Sequence, residues 1–518
     1  MATYEMQPTK GFTDSAAPAP SSPVDADDRV RVDASGMATG TEADAWDMKR
    51  MGRSQELRRN FKSLSVLGLA TTTMSTWVAL LLANAFSLTN GGLAGTVWLY
   101  LASWILTFSL GASLAEMASM APTSGGQYHW VSEFAPPSQS KFLSYIAYSS
   151  AVIILSMVSI YHPEYAMQNW HQSLLMIGIG VLGTLMNTYG AKHLPVLEGI
   201  VLIVHIFGFF CIIIPLWVLA PKAPASEVFG TFSNFGGWST VGAACFVGSI
   251  TATGSFAGSD AAVHLSEETK DASKSVPRMI IFTIVLNGAM GLVFIITYCF
   301  CITNLEAVVQ SESPFPFMDV FLAGTNSKAA TVAMSTIPLI LSVCTSLNAL
   351  AAASRQAWSL ARDQALPFSS WFRKVTTIGT PIPLNSIMFS LSILVIIALI
   401  NIGSSAALNT IIALLTSATS FSYALSISCI LQKRLRGEPL PPSRFTLGKF
   451  AIPINALAVL YVTVACIASF FPVVNSSAVA DMNWSIVMFG GVLLIAGVDY
   501  FFRGKKHYIE PVKHLNKI

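Results

Sequence analysis

The sequence predicts an all-α, polytopic membrane protein of about twelve transmembrane helices. Composition, run length and the placement of charge all lead there. Of 518 residues, 53% are hydrophobic and 11% are charged, whereas an average soluble domain carries roughly 25% charged residues. Too few charges remain to coat a water-facing surface, and the mean hydropathy of +0.59 agrees. Apolar runs recur from Leu64 to Phe502, each of about twenty residues and so able to cross a hydrocarbon core of roughly 30 Å. A soluble enzyme, a nucleic-acid binder and a disulfide scaffold are set aside. All seven cysteines (Cys211, Cys245, Cys299, Cys301, Cys344, Cys429 and Cys466) fall inside apolar runs and read as small buried hydrophobes.

In chain order, residues 1–62 come first. They are rich in Ala, Asp, Pro, Ser and Thr, contain no apolar stretch of signal-peptide type, and read as a disordered tail. The end of that tail is basic: Lys49, Arg50, Arg53, Arg58, Arg59 and Lys62. Twelve candidate spans follow, at 64–88, 94–118, 142–160, 173–189, 196–219, 240–263, 279–302, 329–351, 384–401, 405–430, 450–471 and 485–502. The apolar segment 315–323 is too short to cross and is expected as a hairpin or surface helix in the loop after span 7.

Charge placement tests this count. With the N-terminus cytoplasmic, the inner segments hold 28 of the 30 Lys and Arg residues, and the outer loops hold only Lys222 and Lys328. Deleting the weakest span, 142–160, would turn the split into 12 inside and 18 outside. Twelve spans with both termini cytoplasmic is therefore the expected topology. Asn475-Ser-Ser and Asn483-Trp-Ser match the glycosylation pattern and fall in a loop assigned outside. A Gly-x-Gly-x-x-Gly match at Gly178, Gly180 and Gly183 lies inside span 4 with no strand before it, and reads as small residues permitting close helix contact.

Inside lipid, a broken helix or an ionisable group occurs only where protein lines a cavity or holds a partner. Span 6 combines both irregularities in Gly248-Ser-Ile-Thr-Ala-Thr-Gly254-Ser255-Phe256-Ala257-Gly258-Ser-Asp260. It reads either as a helix that unwinds near Gly254–Gly258, freeing amides and carbonyls, or as glycine packing with Asp260 reaching toward the inner face. Span 1 holds Thr71-Thr72-Thr73-Met74-Ser75-Thr76-Trp77, whose hydroxyls can satisfy freed backbone groups or bond back into an intact helix. Spans 1 and 6 would begin the two halves of a five-plus-five inverted repeat, and paired interrupted helices point to a transport site. Glu116 closes span 2 and Glu198 opens span 5, both expected near the inner interface; His205, Asn287 and Asn348 read as interhelical hydrogen-bond glue. No catalytic or metal-ligand spacing appears, so no enzyme activity and no cofactor are expected.

Two stretches carry a family resemblance. Residues 258–278, with Glu267-Glu268 and Pro277-Arg278, resemble the span 6–7 signature of the amino acid–polyamine–organocation superfamily. Residues 354–367, Ser-Arg355-Gln-Ala-Trp-Ser-Leu-Ala-Arg362-Asp363-Gln-Ala-Leu-Pro367, followed by Gly379-Thr-Pro381, resemble its span 8–9 loop. Asn90-Gly-Gly and Ala115-Glu116-Met…Pro122-Thr-Ser-Gly-Gly126-Gln-Tyr-His-Trp130 are similar to the fungal amino acid/choline permease branch. The resemblance spans residues 60–505.

The resemblance implies a ten-helix core (63–431) with a five-plus-five inverted repeat and broken helices 1 and 6. It also implies two peripheral helices (432–502) and a cytoplasmic C-tail (503–518). It implies proton-coupled uptake of an amino acid, a γ-aminobutyrate-like compound, choline or a polyamine across the plasma membrane or the vacuolar membrane. Thr73, Met74, Ser75, Thr76 and Trp77, with Gly254, Ser255, Phe256, Ala257 and Gly258, are the substrate-binding candidates. Trp77 and Phe256 would supply apolar or cation–π walls. Asp260 is the candidate proton or cation-sensing group, and Glu267, Glu268 and Glu116 are structural or gating candidates. The stretch between Lys141 and Tyr165 is shorter than the family pattern, which raises a second reading, a non-transporting nutrient sensor or inactive permease.

Overall fold

The computed structural model describes residues 31–32, 38–134, 169–311, 316–378, 380–403, 405–476 and 482–508. They are mostly helical. Seven helical segments are long and apolar enough to cross a membrane by length and composition: Ser63–Thr89, Gly92–Met120, Ala191–Leu219, Ala272–Cys301, Lys328–Arg362, Gly448–Ala468 and Ser485–His507. Shorter apolar helices cover Ser173–Thr188, Val241–Gly254 and Leu384–Ile400. Span 3, expected at 142–160, lies outside the described residues.

Within the tail that composition assigns to disorder, α1 (Glu42–Arg50) is a helix. Its start is fixed by a capping box: the Asp44 amide donates to Thr41 Oγ1 at 3.2 Å, and the Thr41 amide donates to the Asp44 carboxylate at 2.8 Å. Acidic residues in its first turn and Lys49 and Arg50 in its last complement the helix dipole. Docking on the bundle, which composition does not report, holds it in place.

The first span is two helices, α2 (Ser63–Met74) and α3 (Thr76–Thr89), meeting at Ser75. Next come α4 (Gly92–Met120), the short α5 (Gln127–Phe134), α6 (Asn169–Thr188) and α7 (Leu194–Leu219). The sixth span is likewise divided, into α8 (Val241–Gly254) and α9 (Ala261–His264). After it run α10 (Ala272–Cys301), α11 (Pro316–Thr325), α12 (Lys328–Arg362), α13 (Leu384–Gly403), α14 (Ser405–Leu435), α15 (Ala451–Ala468) and α16 (Ser485–Asp499). The segment 315–323 is thus a helix, α11, packed between α7 and α12. Among the described residues, strands are confined to two small antiparallel pairs, Arg31–Val32 with Ala38–Gly40 and Thr376–Ile378 with Thr380–Ile382.

Small residues bring the helices together. A Cβ on Gly68 would stand 2.5 Å from the Glu198 carbonyl oxygen, so α2 and α7 touch backbone to backbone. In α6, a Cβ on Gly180 would stand 2.8 Å from Leu394, and one on Gly183 would stand 3.1 Å from Leu350, while Gly178 faces open space. Helix contact therefore accounts for two glycines of the Gly-x-Gly-x-x-Gly match. One core cluster runs through α2, α3, α4, α7 and α10. Outside it, Val196, Ile200, Ile203, Phe207 and Ile214 form an exposed stripe along α7, the pattern of a helix that faces lipid.

Candidate functional site

The first break is built by the hydroxyl-rich run. Ser75 adopts a left-handed conformation, φ 36° and ψ 48°, which costs a non-glycine residue roughly 1–2 kcal/mol. Local bonds hold it there. Ser75 Oγ donates to the Thr72 carbonyl at 2.5 Å, and Thr345 Oγ1 of α12 donates to the same oxygen at 2.6 Å. Asn287 Nδ2 of α10 donates to the Thr71 carbonyl at 3.0 Å and is itself braced by His205, whose Nε2 lies 3.1 Å from Asn287 Oδ1. Thr72 and Thr73 instead donate back to the Gly68 and Leu69 carbonyls, at 2.8 and 2.6 Å. Both sequence readings of this run hold at once: the helix breaks, and two of its hydroxyls bond back into the intact half.

The second break spans Ser255–Asp260. Gly254 ends α8, the chain turns through Gly258 at φ 83°, and α9 begins at Ala261. A Cβ on Gly258 would stand 3.1 Å from Thr73 Cγ2 and 3.5 Å from the Thr73 carbonyl oxygen. The two breaks therefore abut. At the start of α3 the Thr76 and Trp77 amides have no acceptor inside their own helix.

Exposure divides the candidates. Thr73, Gly254 and Gly258 are half-buried and Ala257 is exposed, forming an accessible strip where the broken ends meet. Met74, Ser75, Thr76, Trp77, Ser255 and Phe256 are buried. The Trp77 ring packs against His205, Phe209 and Phe294, with centroids 5.7–6.1 Å apart. Phe256 stacks on Tyr100 at 5.4 Å. Both aromatics thus shore up the breaks from behind. Thr76 Oγ1 and Trp77 Nε1 are buried without a hydrogen-bond partner among the described residues.

The acidic candidates all carry partners. Asp260, at the end of the second break, accepts from Gln127 Nε2 of α5 at 2.6 Å and lies 3.4 Å from His264 Nε2. Glu267 takes both arms of Arg362 at 2.7 Å and also accepts from Thr123 Oγ1 and the Ser124 amide. Burial pushes the Glu267 carboxyl up, but the Arg362 guanidinium, Arg53 and the Ser124 amide overcome this and hold it at about 2. Glu268 accepts from Arg355 Nε at 2.8 Å, and Glu116 pairs with Arg434 at 2.6 Å while accepting from the Leu447 amide. These pairs form a charged layer in which the segment between α9 and α10 is tied to α12 and the end of α4 is tied to α14.

The chain's basic N-terminal stretch completes that layer. Arg53 pairs with Asp363 at 2.6 Å, and Arg50 pairs with Glu133 at 3.0 Å. The buried Arg59 bridges Asp44 at 3.1 Å and donates to the Ser266 and Thr269 carbonyls. Sequence reading counted these arginines only as tail charge; Glu133 and Asp363, the partners of Arg50 and Arg53, lie more than 80 positions away along the chain, as do the carbonyls that Arg59 reaches.

Glu198 has partners that sequence reading did not supply. Expected near the inner interface, it is 1% exposed on α7, where its carboxylate accepts from Asn348 Nδ2 at 3.0 Å and Thr72 Oγ1 at 3.4 Å. Asn348 also donates to Thr72 at 2.9 Å. A carboxyl without a cation among the described residues thus joins α7, α12 and the turn just before the first break. The signal was a polar residue in each of three spans, which only the fold brings together.

The outer candidates are also placed. Asn475 is exposed, its Nδ2 donating to the Gly237 carbonyl at 3.1 Å, whereas the Asn483 amide is engaged by the Ser469 and Phe471 carbonyls.

The amino acid permease family model matches residues 61–492. The chain is similar to the choline transporter of Saccharomyces cerevisiae, 26% identical over 470 residues that cover 87% of this chain and 83% of that protein. It is also similar to amino-acid permease 2 of Neurospora crassa, 26% identical over 508 residues that cover 92% and 90% of the two chains. Among solved structures, the crystal structure of a manganese transporter from Eremococcus coleocola shares the fold, with a TM-score of 0.52 at 13% identity over 88% of this chain and 95% of that one.

Proposed function

The chain belongs to the amino acid permease family, and on that footing we propose that it is a proton-coupled secondary transporter of an amino acid, a γ-aminobutyrate-like compound or choline. The observation that carries the reading is the abutment of two broken helices at Ser75 and Gly258. Helix ends that meet at mid-span offer amide dipoles to a carboxylate and carbonyls to an ammonium group. The cargo contacts the accessible strip, Thr73, Gly254, Ala257 and Gly258, and the backbone beside it at Met74, Ser75, Thr76 and Ser255. Trp77 and Phe256 set the shape of the pocket from behind.

The basic layer is the cytoplasmic gate, closed by the Glu267–Arg362, Glu268–Arg355 and Glu116–Arg434 pairs. Alternating access requires that layer to part, and the gate opens when the tail stretch and α9 move off α12. Proton coupling is assigned to Glu198, whose carboxyl contacts the first break and α12 together, with Asp260 as a second titrating group at the gate. Both termini are cytoplasmic and the protein resides in the plasma membrane. Similarity to a choline transporter and to an amino-acid permease favours this reading over a non-transporting sensor.

Radiolabelled uptake in a permease-deficient fungal host tests the function. Accumulation above the external concentration, abolished by a protonophore and competed by one class within a panel of amines and amino acids, is expected. Absence of uptake for the whole panel in cells that display the protein at their surface would overturn the reading.

A further inference from the structure

A cleft lies away from the transport site, in the basic layer where α10 begins. Its volume is about 520 Å³, within the roughly 300–1,000 Å³ of small-ligand sites. Four cations line it, Lys62 from the linker into α2 and Lys270, Lys274 and Arg278 from the start of α10. The single acid among its lining residues, Asp271, is already engaged by Arg444 and by Lys274 at 3.7 Å. Lys62, Lys270 and Arg278 make no ion pair among the described residues. Hydroxyls complete the wall: Ser63 Oγ lies 3.1 Å from Ser275 Oγ.

An uncompensated cluster of three cations in a cleft lined by hydroxyls selects an anion with several oxygens, and phosphate is the common one. The surroundings say how that anion is presented. Arg278, Phe282 and Val285 follow one another at helical spacing, and Phe282 is 58% and Val285 45% exposed. The cleft therefore opens directly onto a lipid-facing apolar stripe. We infer that this cleft is a binding site for the phosphorylated headgroup of an anionic inner-leaflet lipid, whose acyl chains lie along Phe282 and Val285. Basic pockets at the cytoplasmic ends of transmembrane helices suit such headgroups. The assignment uses the cytoplasmic placement of the basic layer and is independent of the transported substrate.

The site also has leverage. Thr41, which caps α1, lines the same cleft, and the Asp44 carboxylate beside it accepts from the Asp271 and Ala272 amides at 2.9 Å each. A bound headgroup therefore bridges the tail stretch and α10 and holds the gate layer together.

The test is native mass spectrometry of the purified full-length chain with short-chain phosphatidylinositol 4,5-bisphosphate, compared with short-chain phosphatidylcholine and with soluble inositol trisphosphate. Binding of the bisphosphate lipid about tenfold tighter than either comparator is expected. Lys270→Gln/Arg278→Gln should remove that preference, and Lys62→Gln alone should weaken it, while Lys505→Gln/Lys506→Gln on another helix leaves it within about twofold. Equal capture of the soluble trisphosphate would overturn the lipid assignment. Unchanged binding by both cleft variants, or equal loss in the control variant, would overturn the site.

Discussion

Glu198 illustrates how much a single buried carboxyl can couple. Its side chain accepts from Asn348 of α12 and from Thr72, three residues before the break at Ser75. Adding or removing a proton there changes the acceptor that Thr72 and Asn348 share, and so changes what holds the end of α2 against α12. Replacing it by glutamine preserves the size and one acceptor but fixes the group in the uncharged form. We therefore expect Glu198→Gln to lose concentrative uptake by about tenfold, equivalent to about 1.4 kcal/mol, while counterflow exchange of substrate stays within about threefold of wild type. Equal loss of both activities, in protein that reaches the membrane, would make Glu198 a packing residue. The sequence hid these contacts because a glutamate three residues past the span 4–5 turn looks interfacial; the fold sets α7 backbone to backbone against α2 at Gly68. By contrast, the residue types of Gly254–Gly258 narrowed the reading to a break or glycine packing, and the backbone turn through Gly258 makes it a break.

At the scale of elements, the two broken spans depend on positions that only some residues tolerate. Gly258 sits at φ 83° with Thr73 beside it, so Gly258→Ala meets both a left-handed backbone penalty of roughly 1–2 kcal/mol and a contact of 3.1 Å. The expected result is a substrate KM raised by about tenfold with little change in surface level, because the Cβ would intrude where the breaks meet; a KM unchanged in the variant would move the site elsewhere. The tail stretch is the second element with a measurable switch. Burial raises the Asp47 carboxyl of α1 to about 7, against the opposing hydrogen bond to Ser273 and the charges of Arg50 and Arg59, with Asp44 adding to the rise. A carboxyl raised on docking holds a proton that the free stretch would release, so docking is favoured at low pH and weakens as pH climbs from about 4 through 7. Glu267 has the opposite sign: held at about 2, its contribution is complete above the ordinary carboxylate value and flat across that window. A spin label on Ala45→Cys, in a background without native cysteines, should therefore gain mobility between pH 5.5 and pH 8. Asp47→Asn should abolish that change, and a persisting transition would assign it to another group.

For the molecule as a whole, the legible part of the fold was what lipid dictates, the recurring apolar runs that fold into helices long enough to cross. The illegible part was the layer where long-range ion pairs assemble, because Arg53 and Asp363, or Arg50 and Glu133, carry no mutual spacing that a sequence pattern could expose. Sidedness links the two. Twenty-eight of 30 Lys and Arg residues fall on one side of the proposed topology, and the opposite side carries Asn475 and Asn483. The glycosylation machinery reaches only an acceptor on the non-cytoplasmic side whose side chain is free to enter an enzyme. Asn475 is exposed and gives one amide hydrogen to Gly237, while the Asn483 amide is held by two carbonyls at 2.9 and 3.2 Å. Only Asn475 should then carry glycan. Endoglycosidase treatment is expected to shift the mobility of the wild-type protein and of Asn483→Gln, but not of Asn475→Gln. A shift lost with Asn483→Gln instead would mean that this loop opens during synthesis. If wild-type protein shows no shift, but does once an acceptor is inserted after Ser369, the basic layer faces the lumen. The gate would then stand on the wrong side of the membrane, and with it the proton-driven direction proposed for Glu198.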